Sequence, residues 1–369
     1  MAYKLLSRCL KFSFLLLSFC LNVNSIAQKN NFDKVDIWLN ENLKELGGRA
    51  ILQVYKDGQI IYSRAENNLS QKQKMIGKFL AKKQGKDPSE MMKDFTPATR
   101  ELIASSSKWL SAALIMTFVD EGKLTLEDSI GKYLPVMTKN GKGNIKIWQC
   151  MAHLSGMQSP EIKEEIAQFK GLNSMDEAVS KIAEYPMEGE PGKVFHYSGT
   201  GLMIVGDIIE KISGKDFETL FAERIARLCK MTNTDFGKEK FAKPAGSGRS
   251  TAEDYMKFLT MILQDGKYEN KTVLNKKSII AMQQNYSKNA TVAYSPTEAG
   301  AWGYGLGEWI VADGSVRAKV VSSPGLFGSF PWVDNDKKYA AFLLCLNLKR
   351  NGRNDKYIEL KGLVDEAFQ

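Results

Sequence analysis

Ser105 and Lys108 are the pair of residues in this sequence best placed for covalent catalysis. They open an apolar run, residues 105–121, that predicts a buried central helix, and residues three apart lie on one face of a helix. A desolvated lysine can accept the hydroxyl proton, which would make the serine a nucleophile without a histidine. A serine-rich helix start with a surface lysine is the alternative, and the apolar character of the run argues against it.

A second segment, residues 191–199, is a turn followed by aromatic residues just before a predicted helix. Its tyrosine, Tyr197, could carry protons between nucleophile and leaving group if its phenol lies beside an ammonium. Taken alone, the segment favours an ordinary core tyrosine over a catalytic one. A Ser-His-Asp triad is the competing arrangement, but no G-x-S-x-G motif occurs and only His153 and His196 could serve as its base. With two histidines in the chain, we do not expect a transition-metal site. Acyl transfer through a serine would need no cofactor.

A third segment, residues 322–328, contains Ser323 and Gly325 at the end of a predicted strand. A glycine there lets a substrate backbone approach the strand edge. A strand N–H group could then complete an oxyanion hole with the N–H of Ser105. A simple hairpin turn is the alternative for this segment.

The elements that would position these residues follow from periodicity and turn signals. Helices are predicted at 32–46, 105–121, 201–212 (ending at Gly214), 250–266 (starting with a capping box from Ser250 to Glu253) and 355–368, and residues 69–93 are predicted to form a surface helix or loop. Strands are predicted at 50–55 and 59–63 around an Asp-Gly turn, and at 304–311, 317–322, 329–333 and 339–347. This order predicts an α+β fold: an antiparallel sheet built from both chain ends and flanked by helices, with a mostly helical lobe at about 106–235. The cleft between them is the expected site.

The N-terminus has the pattern of a secretory signal peptide, residues 1–27. Basic residues precede the apolar stretch Phe12–Leu21, and Ser25-Ile26-Ala27 supplies small residues for cleavage. The stretch is too short to span a membrane, so no transmembrane anchor is expected. We therefore predict an exported protein, periplasmic or extracellular, with one domain over residues 28–369. A lipoprotein attached at Cys20 is less favoured because Phe19 is too bulky.

The composition is that of a globular protein, with 43% hydrophobic and 25% charged residues among 369. The net charge of +9 is spread along the chain, with a denser patch at 72–86. Nucleic acid binding is therefore not expected. A scaffold role for residues 69–93 is a minor alternative. The cysteines outside the signal peptide, Cys150, Cys229 and Cys345, are predicted to be small buried side chains. The sequence leaves open whether any two form a disulfide.

Together these three segments, in their order and spacing, resemble the serine β-lactamase and penicillin-binding-protein superfamily. The resemblance is to the branch of class C β-lactamases, D-alanyl-D-alanine carboxypeptidases and lactamase-like esterases, and it runs from about Ala50 to Asn347. It implies that Ser105 is the acylated nucleophile, Lys108 its activator and Tyr197 the general base and acid. It also implies an oxyanion hole formed by the N–H groups of Ser105 and Leu326.

Two positions depart from the pattern of that family. Gly199 replaces an asparagine that contacts the substrate's amide side chain, and Ser323 replaces a lysine or histidine that holds the antibiotic's carboxylate. Losing a charged hydrogen bond costs about 1.5–3 kcal/mol. We therefore expect a hydrolase of small esters or peptide-like amides, with cell-wall fragments as further candidate ligands, and substrate contacts from Ser323, Gly325, Gly199 and His196. A weak class C-type β-lactamase and a non-catalytic binding protein are the alternatives.

Overall fold

The computed structural model describes residues 31–83, 87–89, 92–237, 239–347 and 352–369. The predicted signal peptide lies outside these residues. Over the described ranges, no helix combines the length and the apolar character needed to cross a membrane.

An antiparallel sheet is the centre of the described structure. The strands are β1 (Arg49–Lys56), β2 (Gln59–Asn67), β3 (Glu101–Leu102), β4 (Val194–His196), β5 (Arg249–Ser250), β6 (Lys267–Tyr268), β7 (Lys271–Thr272), β8 (Thr291–Tyr294), β9 (Gly303–Tyr304), β10 (Trp309–Ala312), β11 (Val320–Ser322), β12 (Phe330–Asp334) and β13 (Tyr339–Cys345). Seven of them form the central sheet, in the order β2-β1-β13-β12-β11-β10-β9. The two chain ends meet where β1 pairs with β13, Ala50 lying opposite Cys345. The predicted α+β fold with a sheet built from both ends is confirmed.

The helices surround this sheet and fill the middle of the chain. They are α1 (Asp33–Asn42), α2 (Gln71–Lys83), α3 (Ser107–Asp120), α4 (Pro135–Lys139), α5 (Ile147–Met151), α6 (Ile162–Gln168), α7 (Met175–Ile182), α8 (Thr200–Ser213), α9 (Phe217–Phe221), α10 (Ala252–Leu263), α11 (Lys276–Met282) and α12 (Arg353–Glu366).

The alternation of side chains along β1 explains the layering. Leu52 and Val54 face one hydrophobic cluster, which they share with α1 and α12, whereas Ile51 faces the other, which contains α3, α8 and α10. Successive strand residues point to opposite faces, so a strand that is apolar at every position is covered on both sides. The sheet therefore lies between a terminal helical layer and the helical lobe.

The β1–β2 hairpin forms at the predicted turn. Asp57 and Gly58 have φ angles of +51° and +86°. Two successive residues with positive φ are typical of the type I′ turn, whose twist matches that of paired strands.

One predicted helix boundary is confirmed and another differs in detail. Helix α8 stops before Gly214, where the sequence predicted its end, and this C-cap glycine has a left-handed conformation. The N-cap of α10, however, is Thr251, whose side chain accepts from the N–H of Asp254. The predicted capping box from Ser250 to Glu253 was therefore wrong by one residue, since serine and threonine are both good caps.

One predicted strand was wrong. The segment 304–311 is a tight hairpin in which Tyr304 of β9 lies opposite Trp309 of β10. Gly307 has a φ of +82°, and a Cβ there would lie 2.4 Å from the Cβ of Ala112. This turn requires glycine because it packs directly against α3.

The cysteine question is also settled for the described residues. Cys150, Cys229 and Cys345 are buried free thiols. Burial raises the pKa of each thiol to about 12. They behave as small core side chains.

Candidate active site

Ser105 lies in a single 3-10 turn, Ala104–Ser106, that leads directly into α3. Ala104 has a φ of +46°, in the left-handed region, which costs a non-glycine residue about 1–2 kcal/mol. The predicted α-helical start at Ser105 is thus two residues early, and the serine side chain emerges from a strained turn. Strain of this kind is concentrated at functional sites.

Lys108, the second residue of α3, is 4% exposed, and its ammonium reaches back to this turn. Its Nζ donates to the Ser105 Oγ at 3.2 Å and to the carbonyl oxygen of Ala245 at 2.9 Å. The predicted pair is therefore in hydrogen-bond contact, with the lysine buried rather than on the surface.

The segment 244–248 supports this lysine and had no signature in the sequence. Ser111 of α3 donates to the carbonyl oxygen of Pro244 at 2.7 Å. The N–H of Gly248 donates to the Oγ of Ser107 at 2.9 Å. These bonds hold the Ala245 carbonyl against α3, and because they use backbone atoms, residue type alone does not reveal them.

Tyr197 lies between β4 and α8, and its ring is beside the same ammonium. The Lys108 Nζ is 4.7 Å from the ring centroid, within the range of a cation–π contact. The other side of the site is aromatic: Trp309 stacks on Tyr197 with centroids 5.0 Å apart. The N–H of Tyr197 donates to the carbonyl oxygen of Tyr294, next to the β4–β8 pair that the sequence did not predict.

His153 packs against this tyrosine, with ring centroids 4.7 Å apart, and is 3% exposed. Burial, together with the positive charges of Lys108 and His196, lowers the pKa of His153 well below its usual 6.5. Its Nδ1 accepts from the N–H of Ser198 at 3.4 Å. Within the described residues the side-chain partner of Ser105 is Lys108 and no histidine contacts it, so the geometry does not favour a Ser-His-Asp triad.

His196 is turned toward a carboxylate. Its Nδ1 lies 2.6 Å from an Oε1 of Glu188, and both side chains are 16% exposed. Its ring is also 5.4 Å from that of Tyr294. A substrate contact by His196 stays a prediction.

The third segment lies directly beside the Ser105 turn. Ser323 is 1% exposed, and its Oγ donates to the carbonyl oxygen of Ser105 at 3.2 Å. A Cβ on Gly325 would lie 2.3 Å from the carbonyl oxygen of Ile103, so only glycine permits this approach. The Ser323 hydroxyl, which stands where the family pattern has a cation, is thus hydrogen-bonded to the backbone of Ser105, the predicted nucleophile.

The N–H groups of Ser105 and Leu326 make no hydrogen bond to protein acceptors in the part of the chain that the structure describes. Backbone donors left open beside a nucleophile are what an oxyanion hole requires.

Two serines that the sequence analysis did not single out join these segments. The Oγ of Ser106 donates to the carbonyl oxygen of Ser323 at 2.7 Å and lies 3.0 Å from the Oγ of Ser329. Ser329 in turn donates to the carbonyl oxygen of Ile103 at 3.1 Å. The run of three serines was visible in the sequence, but only the spacing to Lys108 was used to choose among them.

Gly199 faces a carboxylate on α6. A Cβ at this position would lie 2.8 Å from an Oε1 of Glu165 and 3.4 Å from the Cβ of Ala245. Burial raises the pKa of Glu165, while the positive charges of Lys108 and Lys243 act in the opposite direction. The space next to Gly199 is therefore occupied by an acidic side chain.

Comparison with known proteins places this geometry in a family. The model of the Beta-lactamase family matches residues 43–365. A candidate β-lactamase from Bacteroides dorei DSM 17855, known from a crystal structure, is 26% identical; the superposition covers 92% of this chain and 99% of that one with a TM-score of 0.76.

Two more distant structures show the fold alone. The octameric penicillin-binding protein homologue from Pyrococcus abyssi is 20% identical, with 89% of this chain and 77% of that one covered and a TM-score of 0.70. EstCE1, described as a hydrolase with promiscuous acyltransferase activity, is 16% identical, with 94% and 100% covered and a TM-score of 0.72.

The fold is that of the serine β-lactamase and penicillin-binding-protein superfamily, as the sequence motifs predicted. The chain belongs to the Beta-lactamase family. Its structural neighbours include hydrolases and penicillin-binding protein homologues.

Proposed function

We propose that this protein is an exported serine hydrolase that forms an acyl-enzyme on Ser105 and hydrolyses a small ester or amide. The observation that carries the proposal is the 3.2 Å contact between the Lys108 Nζ and the Ser105 Oγ, made by a lysine that is almost fully buried. The family match supports hydrolase chemistry, and the residue roles are our assignment.

In the first step the Oγ of Ser105 attacks the substrate carbonyl carbon. Its proton passes to the Lys108–Tyr197 pair, and the oxyanion is stabilised by the N–H groups of Ser105 and Leu326. The C–O or C–N bond then breaks, and the leaving group takes the proton from Tyr197. Water repeats the sequence on the acyl-enzyme, which releases the acid and restores the Ser105 hydroxyl.

To act as the base, the Lys108 Nζ must take the serine proton along its 3.2 Å contact with the Ser105 Oγ. The same ammonium lies 4.7 Å from the centroid of the Tyr197 ring, so the proposed general acid is a direct neighbour of the proposed base.

The substrate-contacting positions argue against an efficient β-lactamase. Ser323 carries no charge, and its hydroxyl already donates to the Ser105 carbonyl oxygen. A substrate carboxylate would therefore find no cation at this position, at a cost of about 1.5–3 kcal/mol. We expect esters or uncharged amides to be better substrates than penicillins.

We further propose that residues 1–27 direct export and are removed, so that residues 28–369 act as one domain outside the cytoplasm. This rests on the signal-peptide pattern of the sequence.

The proposal is tested by the steady-state hydrolysis of 4-nitrophenyl acetate by the chain from residue 28, with Ser105→Ala as the comparison. We expect Ser105→Ala to lower kcat/KM by at least about a thousandfold, leaving only binding and oxyanion stabilisation. A Ser105→Ala protein that keeps full activity would refute the nucleophile assignment. Absence of activity in both proteins, on esters and amides alike, would favour a non-catalytic binding protein on this fold.

A further inference from the structure

Glu165 places a carboxylate in the cleft at the position where the family pattern has an asparagine. We propose that Glu165 binds a positively charged amine on the acyl half of the substrate, so that the preferred substrates are aminoacyl esters or amides with a free amino group. This inference rests on the proposed function of Ser105, and it assigns a substrate class to that site.

Two neighbours of the predicted catalytic residues show where this carboxylate lies. Gly199 is two residues beyond Tyr197, and Ala245 supplies the carbonyl oxygen that accepts from Lys108. Measured from the ideal Cβ position of Gly199, the Glu165 Oε1 lies at 2.8 Å and the Cβ of Ala245 at 3.4 Å. A side chain at position 199 would require the Glu165 carboxylate to move, so this carboxylate occupies the space that an asparagine side chain would need.

The orientation of Glu165 within α6 is distinctive. Glu164 and Ile166, on either side of it, are exposed, whereas Glu165 is partly buried. A single glutamate on this short helix is thus turned toward the cleft while its neighbour in sequence, Glu164, faces solvent.

The carboxylate of Glu165 has no protein partner in the described ranges: no donor hydrogen-bonds to it and no cation forms an ion pair with it. The two nearby lysines are engaged elsewhere, Lys108 with Ser105 and Ala245, and Lys243 with Glu239 at 2.5 Å. A partly buried carboxylate without a partner is costly, which is why burial raises the pKa of Glu165. A ligand that brings its own positive charge offsets that cost.

The surroundings favour an organic ammonium over a metal ion. Hard cations such as Ca²⁺ or Mg²⁺ take six or more oxygen ligands. The charged groups that act on this carboxylate are the cations Lys108 and Lys243, which cannot share a metal ion with it. An ammonium on a short arm needs only the carboxylate and space.

The test compares two fluorophosphonates that differ only at the end of a short alkyl arm, –NH3⁺ in one and the isosteric –CH3 in the other. Each reacts by forming an Oγ–P bond at Ser105 as the P–F bond breaks, with fluoride leaving and the hydroxyl proton passing to the enzyme. The second-order labelling rate is measured for the wild type, Glu165→Gln and Glu164→Gln, the last being a matched change at an exposed glutamate of the same helix.

We expect the wild type and Glu164→Gln to react about tenfold to a hundredfold faster with the ammonium probe than with the neutral one, the range expected for one charged hydrogen bond. In Glu165→Gln the ratio of the two rates should fall to about one. A wild-type ratio near one, or a ratio unchanged in Glu165→Gln, overturns the inference, because a structural or proton-transfer role of Glu165 would slow both probes equally. If neither probe labels Ser105, the proposed function itself fails and this inference falls with it.

Discussion

The side-chain hydroxyl of Ser106 donates a hydrogen bond to the carbonyl oxygen of Ser323 at 2.7 Å, joining two segments 217 residues apart in sequence. One segment carries Ser105 and the other carries Leu326. The bond therefore fixes the distance between the two backbone N–H groups to which we assign the oxyanion hole.

Replacing Ser106 with alanine should affect both stability and activity. The buried carbonyl of Ser323 loses its donor, which costs about 1–3 kcal/mol of the free energy of unfolding. Because the two oxyanion donors are then free to shift, kcat should fall as well. Urea denaturation and ester hydrolysis measure the two effects.

Ser322→Ala is the matched control for that change. Its hydroxyl is also buried and donates to the carbonyl oxygen of Pro331 at 2.6 Å, within the sheet. We expect a similar loss of stability with kcat retained. If Ser106→Ala loses stability but keeps kcat as this control does, the hydrogen bond between Ser106 and Ser323 does not position the oxyanion donors.

Lys108→Met should abolish most of the activity. Methionine fills a similar volume but cannot accept the Ser105 proton, so kcat/KM for ester hydrolysis should fall by about 10²–10⁴-fold. The comparison is Lys142→Met, because Lys142 is also a buried lysine that donates to a carbonyl oxygen, that of Ala183 at 2.8 Å. Equal losses of kcat/KM in the two variants would show that the effect of Lys108 is structural.

Tyr197→Phe should separate substrates by their leaving groups. The phenyl ring keeps the stacking on Trp309, but the proton donor for the leaving group is gone. An amide needs that proton more than a 4-nitrophenyl ester does, so the fall in kcat should be larger for the amide. Tyr286→Phe, which keeps a similar stacking on Trp148, should change neither rate. Equal falls for both substrates would contradict the general-acid role.

The burial of neutral His153 predicts a specific loss of stability in acid. Its pKa is lowered in the folded state, so below about pH 6.5 the unfolded state binds a proton that the folded state does not. The free energy of unfolding must then fall as the pH falls, by up to about 1.4 kcal/mol per pH unit for this one group. Measured by urea denaturation from pH 8 to 5, this slope should be present in the wild type and missing in His153→Gln. Parallel profiles for the two proteins would contradict the assignment.

Much of the fold could be predicted because its signals are local. The Asp57-Gly58 turn fixes the first hairpin, and the uninterrupted apolar run of α3 requires a buried helix. The Ser105–Lys108 contact was also predictable, because a three-residue spacing along a helical segment determines which side chains meet.

The contacts that the sequence did not reveal are non-local or use backbone atoms. The Ala245 carbonyl that accepts from Lys108 has no residue-type signature, and the approach of Glu165 to Gly199 depends on how α6 packs. The hairpin at 304–311 was predicted to be one strand because most of its residues are apolar or aromatic. Gly305 and Gly307 interrupt this stretch, but only the strand pairing and the packing against α3 show that they form a turn.

The central claim is that Ser105 becomes acylated, and intact-mass spectrometry tests it most directly. The chain from residue 28 is exposed to a neutral alkyl fluorophosphonate, and Ser105→Ala is treated in parallel. The account predicts one adduct per wild-type molecule, located on Ser105 by peptide mapping, and no adduct on Ser105→Ala. An adduct on another residue, or equal labelling of both proteins, would contradict it.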